Sequence, residues 1–152
     1  MNIKEKFSEE IKTAYTFNSE YITIGGAIFE GECINNLHVN IPLKTLNRHG
    51  LIAGATGTGK TKTLQVITEQ LSSKSIPVLV MDVKGDFSGI AKAGTSNPKI
   101  EERHNKIGLT FTASGFPVEM LTLSNEKGVR LRATVSEFGP VLLSKILELN
   151  DT

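Results

Sequence analysis

One cysteine, Cys33, stands alone in 152 residues, so an intramolecular disulfide is excluded. The thiol reads as a small buried apolar side chain, and a reducing cytoplasm is the expected compartment. No apolar run approaches the roughly 20 residues that a membrane-spanning helix needs, so no membrane association is expected. The segment Met1-Asn2-Ile3-Lys4-Glu5-Lys6-Phe7 mixes acids with bases and has no apolar stretch behind it, so no secretory signal is expected. Charge of one sign is also lacking. Seventeen Lys and Arg against sixteen Asp and Glu leave a net +1, which gives no global electrostatic case for nucleic acid. Arginine is confined to Arg48, Arg103, Arg130 and Arg132. Internal repeats and low-complexity tracts are absent. What is present, 39% hydrophobic and 22% charged residues, suits about one folded domain rather than a disordered chain.

The periodicity of the chain changes along its length. Ile3, Phe7, Ile11 and Ala14 share a helical face, so residues 1–19 are expected to hold an N-terminal helix. Tyr21-Ile22-Thr23-Ile24, Ala27 to Phe29 and Leu37 to Ile41 are rich in β-forming residues. With Gly31 and Asn35-Asn36 as turns, residues 20–45 read as a small antiparallel β unit. Residues 46–152 read as a partial P-loop domain. Gly50-Leu51-Ile52-Ala53 is the first buried parallel strand, Lys60 to Ser73 a helix with Leu64, Ile67 and Leu71 inward, and Pro77 to Met81 a second buried strand. Together they make a βαβ unit with a right-handed crossover. Further on, Asn97-Pro98 has the form of an N-cap followed by proline, opening a short helix through Ile100, His104 and Ile107. Val118 to Leu123 reads as a strand. Thr134-Val135-Ser136-Glu137 has capping-box spacing ahead of a helix carrying Val141, Leu142, Ile146 and Leu149.

The chemistry is carried by Gly54-Ala55-Thr56-Gly57-Thr58-Gly59-Lys60-Thr61, which fits G-x-x-x-x-G-K-[ST] at every position. Phosphate oxygens must approach backbone N–H groups closely, and a Cβ would obstruct them. Gly54, Gly57 and Gly59 remove that obstruction and allow positive φ. The loop opens a helix, whose unpaired N–H groups and dipole favour an anion. Lys60 reaches the β- and γ-phosphates, Thr61 offers its hydroxyl to Mg²⁺, and Lys62 extends the loop contacts into the helix. The ligand this predicts is ATP with Mg²⁺.

An acid at a strand end is the second requirement of such a site. Val78-Leu79-Val80-Met81-Asp82 has that form, which makes Asp82 a candidate for catalysis and for the metal's water. It lies only one helix after Lys60, and a strand-end role near the site, with Asp86 as its neighbour, is the competing assignment. Asp82-Val83-Lys84-Gly85 also fits the short D-x-x-G pattern of GTPases. No N-K-x-D follows, which favours ATP. No later apolar run ends in paired acids, so no catalytic glutamate is identified. Arg130 and Arg132 have the spacing of an exposed strand face as well as the chemistry of arginine fingers.

Three runs carry a family resemblance: Ile41 to Gly50 leading into the loop, Val80-Met81-Asp82-Val83-Lys84-Gly85-Asp86-Phe87-Ser88-Gly89, and Arg132-Ala133-Thr134-Val135-Ser136-Glu137-Phe138-Gly139-Pro140. In that order they resemble the N-terminal part of HerA-like ATPases, a branch of the HerA/FtsK class of P-loop motors. The resemblance implies an α/β fold of the RecA-like, ASCE type and ATP hydrolysis in a ring, with a homo-hexamer as the full-length assembly. It also implies movement or unwinding of double-stranded DNA. By position it assigns Lys60 and Thr61 to the Walker A lysine and metal-binding hydroxyl, and Asp82 to the acid ending the second strand. Such ATPases are considerably longer, so this sequence resembles a piece of one. Two alternatives stand beside that expectation: a nucleotide-binding module without turnover, and a P-loop small-molecule kinase or GTPase. A kinase would carry an arginine-rich lid, for which four arginines leave little material.

Overall fold

The computed structural model describes residues 2–148. It is an α/β structure with two compact units, residues 1–117 and 118–152. The first unit is organised around one β hairpin. Strand β1 (Tyr21–Phe29) pairs antiparallel with β2 (Glu32–Pro42), from Tyr21 opposite Pro42 to Phe29 opposite Glu32. Glu30 and Gly31 turn the chain with φ of 49° and 86°, the two left-handed residues a tight hairpin needs to match strand twist. Ile22, Ala27 and Leu37 are buried on the hairpin, and Ile22 has no exposed surface.

Asn35 and Asn36 lie inside β2, where a strand break is expected from their side chains. The register shifts between Gly26 and Ile28, so that four residues of β2 oppose Ala27 alone. Asn36 takes φ of 57°, which asparagine tolerates better than most residues, and the bulge turns Asn35 toward the neighbouring helix.

Three helices pack on this hairpin. Helix α1 (Ile3–Tyr15) is opened by an Asn2–Glu5 capping box. It sets Phe7 against Phe29 with ring centroids 5.3 Å apart, and the Asn40 amide donates to the Tyr15 carbonyl at 2.9 Å. Helix α2 (Lys60–Ser73) sends Gln70 to β1, where the side-chain oxygen accepts from Thr23 N at 2.8 Å and the amide donates to Thr23 O. The primary amide thus completes a hydrogen-bonding edge that a two-stranded sheet leaves open. Helix α3 (Pro98–Ile107) is capped by Asn97 at its start and ends at Gly108, with φ of 72°. Gly108 N donates to Asn105 O and Leu109 N to His104 O, a Schellman pair. Its last carbonyls meet the bulge: Asn35 donates to Asn105 O at 2.9 Å, and His38 Nε2 lies 2.7 Å from Ile107 O.

The two buried parallel strands expected on either side of α2 are not formed. Residues 50–53 and 77–82 pair with no strand among the described residues, so neither the βαβ unit nor its crossover is present. Leu51, Leu79 and Met81 are 89%, 81% and 90% exposed. A continuous apolar run states that a strand needs cover on both faces; it does not supply that cover. The inward face of α2 shifts accordingly. Leu64 is exposed, and the buried positions are Gln65 and Thr68.

In the second unit the expected strand over 118–123 contracts to β3 (Leu121–Thr122), paired parallel with β4 (Val129–Arg130). Val129 N donates to Met120 O at 2.7 Å and Leu131 N to Thr122 O at 2.8 Å. Arg130 and Arg132 are both exposed. Helix α4 (Val135–Ile146) begins with the Thr134–Glu137 capping box and breaks at Gly139, φ 69° and ψ 163°, where Pro140 follows. Leu149, expected on this helix, lies outside the described residues.

Candidate nucleotide-binding site

The loop before α2 has the local form its glycines imply. Gly57 and Gly59 sit at φ of 83° and 96°, and a Cβ on either would meet nothing within 4 Å. Gly54 is different. Its Cβ would lie 2.5 Å from Thr58 Oγ1, because the Thr58 hydroxyl crosses the loop to donate to Ala55 O at 2.8 Å. One glycine therefore lets the loop close on itself, and the other two let it curl.

The start of α2 is electrostatically unlike that of the other helices. Asn2, Asn97 and Thr134 each cap a helix through a side chain, and each helix has a glutamate in its first turn: Glu5, Glu101 and Glu137. Helix α2 has Gly59 at its cap, no side-chain cap and no acid in the first turn. Lys60 and Lys62 stand there without the acid that accompanies Lys4 and Lys6 in α1 and Lys99 in α3. Cations at a helix N-terminus oppose its dipole by about 0.3–1 kcal/mol each, and uncapped N–H groups are left to solvent. An anion placed there satisfies both.

Lys60 folds back over the loop, its ammonium donating to Gly54 O at 2.9 Å and Ala55 O at 2.7 Å. Thr56 is exposed beside them. The Lys62 ammonium points elsewhere, donating to Gln65 Oε1 at 2.9 Å on its own helix. The Thr61 hydroxyl donates to Asp86 Oδ2 at 3.4 Å.

Asp82 is engaged by backbone. Its Oδ1 accepts from Gly85 N and its Oδ2 from Phe87 N, each at 2.9 Å. The Phe87 amide foremost, with those of Gly85, Lys84 and Asp86, holds the Asp82 carboxyl below its ordinary value. The carboxylate thus closes a turn over 82–87. That turn is pinned to the body by Phe87 and Ile90, both buried, and by Gln65 Nε2, which donates to Asp86 O at 3.3 Å. So Asp86, not Asp82, is the carboxylate that meets the loop threonine. Sequence spacing marks Asp86 as a neighbour only; the turn that carries it inward depends on Asp82 accepting from amides three and five residues ahead.

The residues fit a nucleotide with Mg²⁺. Phosphates need the open cradle at Gly57 and Gly59 and the uncapped helix start. Mg²⁺ is typically held by one or two protein oxygens together with phosphate oxygens and water, which a hydroxyl and a nearby carboxylate supply. No cluster of three or more His, Cys, Asp or Glu that would form an all-protein metal site occurs among the described residues. Among them, too, no helix is long and apolar enough to cross a membrane.

Comparison with known proteins identifies a family. A family model described as the HerA-like helicase C-terminal domain matches residues 30–152. The description names a C-terminal domain; the three runs taken alone resemble the N-terminal part of such ATPases. A DNA double-strand break repair helicase HerA of Saccharolobus solfataricus is 30% identical over 99 residues, covering 64% of this chain and 19% of that protein. Another of the same name, from Sulfurisphaera tokodaii, is 34% identical over 123 residues, 78% of this chain and 22% of the relative. The chain thus spans about a fifth of the length of these curated relatives. No solved structure is similar enough to count as a match. With a family model covering most of its length, and two relatives of one name agreeing with it, the chain belongs to the HerA-like helicase family.

Proposed function

We propose that Gly54 to Lys62 bind the phosphates of ATP with Mg²⁺, and that residues 46–152 are the nucleotide-binding part of a RecA-like, ASCE-type HerA ATPase. On this division, residues 1–19 and 20–45 are a helix and a small β unit set ahead of it. One observation carries the reading. Among the four described α-helices, α2 alone begins with no side-chain cap and no acid to offset its lysines, an arrangement that is unfavourable until an anion occupies it.

In this reading the amides from Ala55 to Thr61 orient the phosphates. Lys60 exchanges its two carbonyl partners for phosphate oxygens, and Thr61 faces the metal. Mg²⁺, when bound, neutralises phosphate charge and lowers the barrier to attack on the terminal phosphorus. Asp82 acts by holding the 82–87 turn, or as an acid toward the metal's water if its amide contacts are released. In the longer protein, hydrolysis would be coupled to translocation along or unwinding of double-stranded DNA, in a hexameric ring in the cytoplasm. This extends what the curated relatives are named for.

A melting experiment tests the binding claim. ATP–Mg²⁺ at about 1,000 times its Kd should stabilise the chain by about 4 kcal/mol. Lys60→Ala should remove that gain while leaving the unliganded melt within about 0.5 kcal/mol, since only exposed contacts are lost. A wild-type chain whose melt ignores ATP–Mg²⁺ would refute the site. A second reading, binding without turnover in this chain, is favoured by the engagement of both Asp82 oxygens with backbone amides. Phosphate release at enzymatic rates by the 152-residue chain would rule it out.

A further inference from the structure

A hydroxyl that ligates a cation presents a lone pair to it and must point its hydrogen at another acceptor. In this chain the acceptor is already in place. Thr61 Oγ1 donates to Asp86 Oδ2 at 3.4 Å. The peptide unit that follows Asp86 is held at both its nitrogen and its oxygen. The following amide, Phe87 N, is held by Asp82 Oδ2 at 2.9 Å, and the carbonyl of Asp86 accepts from Gln65 Nε2 at 3.3 Å. Gln65 is itself buried at 9% exposure, and its oxygen is taken by Lys62 Nζ at 2.9 Å. A buried glutamine with both ends of its amide used, one helical turn past the loop, is a rigid link between α2 and the 82–87 turn. Exposed Asp–Thr contacts elsewhere would be free to drift; here Asp82 and Gln65 both hold the peptide unit next to the carboxylate.

We propose that Asp86 is a positioning residue for the nucleotide-bound metal. It accepts the hydrogen bond from the Thr61 hydroxyl and so turns the hydroxyl lone pair outward, while Asp82 and Gln65 hold Asp86 at the loop. This assignment rests on the nucleotide reading above and adds to it the residue that couples the loop after Pro77–Met81 to the metal-facing hydroxyl. It separates two effects. Phosphate binding through Lys60 and the loop amides does not involve Asp86, whereas the gain in ATP affinity from Mg²⁺ does.

The test is a titration of ATP binding to the 152-residue chain by calorimetry, in EDTA and across a Mg²⁺ series. In Asp86→Ala, affinity in EDTA should match the wild type, and the Mg²⁺ concentration giving half the affinity gain should rise about 10- to 100-fold, the usual cost of losing an outer partner of a metal ligand. Asp86→Asn, which keeps an acceptor oxygen, should recover part of that loss. Gln65→Leu should shift the Mg²⁺ response in the same direction as Asp86→Ala, with far-UV circular dichroism confirming the fold of each variant. An Asp86→Ala chain with the wild-type Mg²⁺ response overturns the proposal and leaves the nucleotide site standing. Equal losses in EDTA and in Mg²⁺ also overturn it, by showing a general role in the loop. A wild-type chain that binds no ATP in either condition removes both readings together.

Discussion

Gly59→Ala isolates the backbone strain in the loop from every other effect. Gly59 has φ of 96° and ψ of 17°, and an added Cβ would meet no atom within 4 Å. Steric collision therefore contributes nothing, and the cost is that of holding an L-residue left-handed, about 1–2 kcal/mol. A smaller opposing effect, about 0.4–1 kcal/mol, comes from the reduced freedom of the unfolded chain. The net expectation is a loss of about 1 kcal/mol. If the loop keeps its shape, this appears as a lower denaturation midpoint. If the loop relaxes to spare the fold, the same energy is required again on binding, and ATP affinity falls about fivefold.

Gly50→Ala is the matched control. Its Cβ likewise meets nothing within 4 Å, and its φ is outside the left-handed region, so both stability and affinity should stay within about 0.5 kcal/mol of the wild type. Urea denaturation with and without ATP–Mg²⁺, on both variants, makes the comparison. Should Gly59→Ala be indistinguishable from Gly50→Ala in both measurements, the left-handed geometry of the helix start would be incorrect, and the phosphate cradle argued from it would fail too.

Two further outcomes concern the parts that hold the loop. Gln70→Ala removes both bonds to Thr23 and exposes the outer edge of β1, which should cost about 1–3 kcal/mol in urea denaturation and speed amide exchange at Thr23; an unchanged exchange rate there would show the edge is satisfied otherwise. For Asp82 the sign follows from its lowered pKa. The folded value lies below the ordinary 3.8, so its support of the 82–87 turn is complete above that value and is lost as pH falls through the lower, folded one. Amide exchange at Gly85 and Phe87, followed by NMR, should quicken in that acid range. In Asp82→Asn it should be fast at neutral pH as well, and protection that persists in the variant would refute the carboxylate's role.

Local signals were legible because they are satisfied locally. Asn97 ahead of Pro98 and Thr134 three residues before Glu137 form their caps from atoms within one turn, so the type of residue and its spacing determine the outcome. The hairpin follows the same logic through Glu30-Gly31. The asparagine pair was harder. Asn35 and Asn36 are turn formers in isolation, yet the carbonyls at the end of α3, seventy residues on, take the Asn35 amide and hold the pair as a bulge within a continuous strand. The parallel strands failed for the opposite reason. Leu51, Leu79 and Met81 belong to runs whose apolar character is a demand for neighbours, and no spacing rule states where neighbours will come from.

The site divides along the same line. Gly54 to Thr61 is a contiguous motif whose conformation is a property of its own residues, and the sequence shows it whole. The acid that meets it is not contiguous. Asp82 stands at the end of an apolar run, the position that draws attention in a sequence, but the amides of Gly85 and Phe87 donate to its carboxylate. Satisfying them bends residues 82–87 and brings forward the acid four positions later, where Thr61 donates to it. The acid best marked by pattern therefore builds the turn, and the less conspicuous one reaches the loop. A spacing of Asp-x-x-Gly-Asp after an apolar run, with Gly85 at φ of 75° to let the turn close, is the signal that distinguishes the two roles.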